Sequence, residues 1–114
     1  MGKSDFRLVH FDDVENLPIQ TEGAVNVTMR KLLTKEHGVP NFALRMFHIE
    51  PGGNTPYHSH NWEHENYVLE GEGSLNYNNK EYKLEKGISI YIPVNEMHQF
   101  RSETGMTFLC LIPV

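Results

Sequence analysis

The sequence predicts an all-β domain, a barrel or a sandwich of short strands. Three features carry that expectation. Apolar and polar residues alternate from about residue 25 to the C-terminus, β-branched and aromatic residues dominate those stretches, and Gly, Pro and Asn punctuate them at short intervals. No stretch is long enough, or periodic enough at 3.6, to offer helix much room.

Taken in order, strands are expected near 25–33, 42–50, 56–60, 64–70, 73–78, 80–84, 88–92, 97–102 and 106–112. The breaks between them have chemical causes. Pro51-Gly52-Gly53 should end one strand, Gly71-Glu72-Gly73 should form a turn, and Asn78-Asn79 can take the positive φ of a tight hairpin. Strand spacing of this kind fits a closed or two-layered sheet. Residues 1–24 are less regular, with Pro18 between short extended pieces, and are expected to form an arm able to pair across a dimer.

The 114 residues suit one domain. With 39% hydrophobic and 22% charged residues the chain reads as an ordinary globule, not a disordered one. The formal net charge of −5, without a block of Lys or Arg, argues against nucleic acid and anionic membranes as partners and for a small molecule or a protein. Residues 1–5 lead into mixed polar sequence without an apolar h-region, and no run approaches a membrane span. Cys110 is the single cysteine, which rules out an intramolecular disulfide and agrees with a reducing, cytoplasmic setting. Asn26-Val27-Thr28 matches a glycosylation pattern that has no consequence there.

The chemistry concentrates in His58-Ser59-His60-Asn61-Trp62-Glu63-His64, with a fourth histidine, His98, after the turn Pro93-Val94-Asn95-Glu96-Met97. Side chains two apart on a strand share a face, so His58 and His60 can contact one ion. His64 starts the next strand with the parity of Asn66 and Val68, and His98 can close the site from the opposite side of a barrel. A solvated His-x-His on an edge strand is the plain alternative for each residue alone; four such residues in one pattern favour a shared metal ion. Neutral imidazoles suit Zn, Fe, Ni, Cu and, in suitable geometry, Mn. His10, His37 and His48 read as surface or packing residues. Parity places Phe100, Phe108 and Cys110 beside the metal, Arg45 and Phe47 on an opposing strand, and Trp62 at the mouth, although Phe and Cys residues at such positions are often plain core. Arg45 could hold a substrate carboxylate or belong to a structural ion pair. With the clustered histidines committed to metal, no Ser-His-Asp arrangement remains.

These residues resemble the cupin superfamily over about residues 45–113. Gly52-x5-His58-x-His60-x3-His64-x6-Gly71 follows the first cupin motif, and Gly87-x5-Pro93-x-Asn95-x2-His98-x3-Ser102 follows the second. His64 stands where a glutamate is usual, Asn95 where a glycine is, and Ser102 where an asparagine is. Taking Glu65 as the carboxylate ligand is formally allowed but leaves the count to Gly71 one short, and Glu63 is the other rival; His64 is preferred. The chain then looks like the all-histidine cupins, which include small thermophilic manganese-binding members with similar His-Ser-His-x-Trp-Glu-His and Phe-Leu-Cys-Leu-Ile-Pro segments. The resemblance implies a double-stranded β-helix (jelly-roll barrel) over residues 25–114, a homodimer with exchanged N-terminal strands from residues 1–24, and one divalent ion, Mn or Fe before Zn or Ni. Four neutral ligands would leave the ion's charge uncompensated, and two open coordination positions would let substrate and dioxygen bind side by side, which points to an oxidoreductase of dioxygenase type acting on a small anionic or aromatic molecule. A non-catalytic ligand-binding or sensing module, and an isomerase or lyase of sugars or small acids, are the alternatives on the same fold.

Overall fold

The computed structural model describes residues 5–114; the reading made above of residues 1–4 lies outside them. Eight strands follow one another as β1 (Leu17–Pro18), β2 (Val25–Leu33), β3 (Phe42–Asn54), β4 (His64–Tyr77), β5 (Lys80–Glu85), β6 (Ser89–Ile92), β7 (His98–Ser102) and β8 (Met106–Pro113), with 3-10 turns at Phe11–Asp13 and Lys35–His37. Two long strands close the barrel. The first part of β3 pairs with β2 and β8, and its last residues pair with β7. Likewise β4 pairs with β8 and β6 early, then with β7 and β5. Each long strand therefore crosses from one sheet to the other, and the result is the jelly-roll barrel of a double-stranded β-helix.

Three expectations about strand limits need correction. No turn interrupts residues 71–73. Two expected strands are one 14-residue β4, kinked at a register shift between Val68 and Glu70 and at Gly71, whose φ is 83°. A side chain at Gly71 would strike the Gly105 carbonyl, and one at Gly73 the Arg101 carbonyl, so these glycines permit close passage of neighbouring backbone. Pro51-Gly52-Gly53 does not end a strand either. β3 runs through to Asn54, because Gly53 and Asn54 pair with Ser102 and Arg101. Residues 56–60 do not form a strand. They touch the sheet through a single bridge in which His58 and His98 exchange backbone hydrogen bonds of 3.1 and 2.9 Å. The Asn78-Asn79 hairpin appears as expected, with φ of 50° and 66°.

Inward positions of the strands supply the core: Val27, Ile49, Val68, Leu75, Leu84, Ile92, Phe100, Met106 and Phe108 pack as one cluster. Phe108 stacks between Phe47 and Phe100, with centroids 5.3 and 4.6 Å away. The core fills one end of the barrel, and a cavity of about 200 Å³ opens beside it.

Candidate metal centre

Four histidine rings meet at the wall of that cavity. His58, His60 and His98 bring their ligand nitrogens within 4.8 Å of one another. His64 stands slightly apart from this triad, yet its ring centroid is 5.2 Å from that of His60 and 4.9 Å from that of His98. Its Nε2 lies 3.3 Å from His98 Nε2. His64 opens β4 where it pairs with β6 and β8, whereas His98 opens β7 opposite Tyr77 at the far end of β4 and sits beside His58 through the backbone bridge. The irregular 55–63 segment is held in place by Thr55, bonded to Phe100, and by the Asn95 N–H, which donates to the His60 carbonyl at 2.7 Å. Asn95 adopts a φ of 62° there, which asparagine tolerates better than most residues.

Carbonyl oxygens select the tautomers. The Nδ1–H of His60 donates to the Trp62 carbonyl at 2.8 Å, that of His98 to the Glu96 carbonyl at 2.8 Å, and that of His64 to Asn66 Oδ1 at 2.7 Å. Asn66 Nδ2 donates to the Leu109 carbonyl at 3.3 Å, which turns Oδ1 toward His64. With each Nδ1 carrying the proton, the Nε2 atoms present lone pairs, and those of His64 and His98 face each other in a buried setting with no proton between them. A cation resolves that repulsion. Ligands about 2.1 Å from a metal are roughly 3.0 Å apart when adjacent and about 4.2 Å apart when opposite, so the observed spacings fit one ion after small adjustment. Carbonyl partners behind ligating histidines are the usual device for aiming and tautomer choice.

Electrostatics point the same way. Burial, followed by the neighbouring His98, pushes His64 down to about 4. Burial also takes His98 to about 4, with His58 and His60 adding to the shift, and burial and then His60 lower His58. His58, His64 and His98 are therefore neutral at pH 7, the form that binds metal. Behind them Glu96 accepts bonds from Asn78 Nδ2 at 2.9 Å and Tyr77 Oη at 2.8 Å, which anchors the loop that positions its own carbonyl.

Every residue expected to line the pocket does so: Arg45, Phe47, Trp62, Phe100, Phe108 and Cys110. Phe100, Phe108 and Cys110 are also core, at 2–4% exposure, so the packing and lining roles coincide. Trp62 is 43% exposed and stacks on His60 at 4.3 Å, at the mouth. Arg45 is in no ion pair among the described residues; its Nη2 donates to Cys110 Sγ at 3.0 Å. Burial raises the Cys110 thiol, against the pull of Arg45 and Asn66. The rival carboxylates lie off the cavity. Glu65 is exposed, and Glu63 accepts from Tyr91 Oη at 2.6 Å. His10, His37 and His48 bond locally, to Asp12, Thr34 and Thr107.

Sequence reasoning missed two contributors. Asn66, 3% exposed, is the group that aims His64; its signal was a polar residue on the inward parity of β4. Ile19 and Thr21, ahead of β2, belong to the cavity wall; Ile19 N–H bonds the Val27 carbonyl and β1 pairs with β2 of the same chain.

Comparison with known proteins agrees with this fold. A family model described as "Cupin domain" matches residues 45–112. The chain belongs to the cupin family. Among solved structures, this cupin is 35% identical to the polyketide cyclase RemF from Streptomyces resistomycificus, with a TM-score of 0.90 over 96% of this chain and 80% of that one. A protein from Thermotoga maritima described as a predicted oxalate decarboxylase is 24% identical, with a TM-score of 0.83 over 95% of this chain and 99% of that one. A cupin-2 domain protein from Rhodospirillum rubrum is also 24% identical, at 0.80 over 99% and 76%. The latter two likenesses concern the fold alone. No curated protein sequence matches the chain.

Proposed function

We propose that this cupin is a metal-dependent enzyme in which His58, His60, His64 and His98 hold one divalent ion and a small carbonyl or phenolic compound binds beside it. The carrying observation is the convergence of four histidine rings, three of them with Nδ1 turned to an oxygen acceptor, at the wall of a mainly apolar cavity. A bound divalent ion supplies Lewis acidity toward a substrate oxygen, and Mn or Fe would add redox capacity that Zn would not. The protein's part is to aim the rings through the carbonyls of Trp62 and Glu96 and the amide of Asn66, to exclude water with Phe47, Phe100 and Phe108, and to flank the entrance with Trp62.

The reaction class favoured is non-oxidative rearrangement of a polycarbonyl compound, because the 35% identical relative is a polyketide cyclase. A dioxygenase is the second reading. It is favoured by the lining itself, which among the described residues has no Asp, Glu, Lys or Tyr to carry protons. To decide, metal-free protein is reloaded with Mn, Fe, Zn or Ni and incubated with 1,3-diketones and phenolic ketones under argon and under air. Metal-dependent product at equal rates in both supports the first reading. Product only in air, with matching oxygen uptake, supports the second. The ligand set is tested by elemental analysis: His64→Ala should lose most of its metal and Glu65→Ala should keep it, and the reverse result refutes the assignment.

A further inference from the structure

The cavity contains a cation that the protein leaves unneutralised. Arg45 of β3 lies on the inner face, in register with Cys110 of β8, which in turn pairs with Asn66 of β4. Its guanidinium sits over the Phe47 ring at 5.0 Å and donates only to sulfur, an Nη2–H to Cys110 Sγ at 3.0 Å and an Nη1–H to Met29 Sδ at 3.9 Å, both weak acceptors. Arg45 Nε is buried and has no hydrogen-bond partner. Lys31, the register neighbour of Arg45, takes Glu36 at 2.9 Å, so that carboxylate is engaged elsewhere. Among the described residues no Asp or Glu lines the cavity. Buried donors of a charged group without an acceptor are costly unless something arrives to accept from them.

We propose that Arg45 is the anion-binding end of the substrate pocket. The ligand class is a flat, single-ring acid: its carboxylate accepts from Nε and an Nη of Arg45, its body lies on Phe47, Phe100 and Phe108, and a second oxygen faces the histidines. The cavity, about 200 Å³, is smaller than the ~300–1,000 Å³ of pockets for drug-sized ligands, which favours one ring over several. Only the placement of the second oxygen rests on the metal reading; anion capture by Arg45 does not.

Trp62 is the only tryptophan and stands at the cavity mouth, so its fluorescence reports binding. Salicylate and its neutral amide, salicylamide, are titrated into the metal-free and the zinc-loaded protein. Salicylate should bind about tenfold more tightly than the amide in the metal-free form. Arg45→Met should erase that preference, and Arg45→Lys should restore part of it, since a point charge replaces the fork. Circular dichroism checks the folding of each variant, and the wild-type comparison needs no variant. Equal binding of the two probes by the wild type, no saturable response to either, or a preference that survives Arg45→Met overturns the proposal. Salicylate discrimination that depends on Arg45 but is indifferent to zinc upholds the proposal and counts against the metal reading alone.

Discussion

Asn66 shows how much a single buried amide can decide. Its Oδ1 holds the His64 Nδ1 proton at 2.7 Å, while its own orientation is set by the Leu109 carbonyl of β8. Asn66→Leu keeps much of the volume but removes the acceptor, so His64 can turn or change tautomer. Metal affinity should fall about 10–100-fold with the fold intact, as chelator competition would measure. Asn66→Asp should bind metal far better than the leucine variant, because an oxygen acceptor remains; equal loss in both variants would mean that the residue acts only through packing. The histidine cluster was legible from spacing because 58, 60 and 64 lie on one short segment and 98 follows a recognisable turn. Asn66 was not legible as a functional residue. Its role exists only once β4 and β8 are in register, 43 residues apart in sequence.

At the scale of elements, β4 carries the main difference between expectation and structure. Glycines at 71 and 73 read locally as a turn, but with β8 and β7 on one flank and β6 and β5 on the other, the strand gains more from ladder bonds than from reversing. Gly71 instead provides the left-handed kink by which β4 passes from one sheet to the next. Gly71→Ala should cost more than about 2 kcal/mol, from the positive φ and the collision with the Gly105 carbonyl, and should lower the urea midpoint without changing the denaturant slope. An unchanged midpoint would show that the backbone there relaxes freely. The segment at 56–60 is the converse case, in which strand-like residues stay outside the sheet. The segment still brings the rings of His58 and His60 together beside His98, so parity put them on one side although the strand itself is absent.

For the whole molecule, the buried histidines couple stability to pH. His64 and His98 titrate near 4 when folded, below their ordinary value of 6.5, so the folded form keeps them neutral. Below pH 6.5 the unfolded chain takes up protons that the folded chain refuses. Metal-free protein should therefore lose stability steadily from about pH 6.5 down to about 4, with no further loss from these two groups below that. Its melting temperature should drop by more than about 5 °C between pH 7 and pH 4.5, and His64→Gln should flatten the trend. Bound metal adds stability by mass action, roughly 2.7 kcal/mol at a free concentration a hundredfold above Kd, and that gain too should fade as protons compete for the rings.

The order of apolar and polar residues by itself determined the all-β class, and the two histidine motifs by themselves determined the family and the cluster around residues 58–64 and 98, because periodicity and ligand spacing are local properties of the chain. Only the tertiary structure decided that β4 is a single kinked strand, that Asn66 aims His64, that the arm supplies Ile19 and Thr21, and that Arg45 is left without a carboxylate. Those facts depend on which distant backbones come into register and which charges meet across the barrel, and no local pattern encodes such meetings.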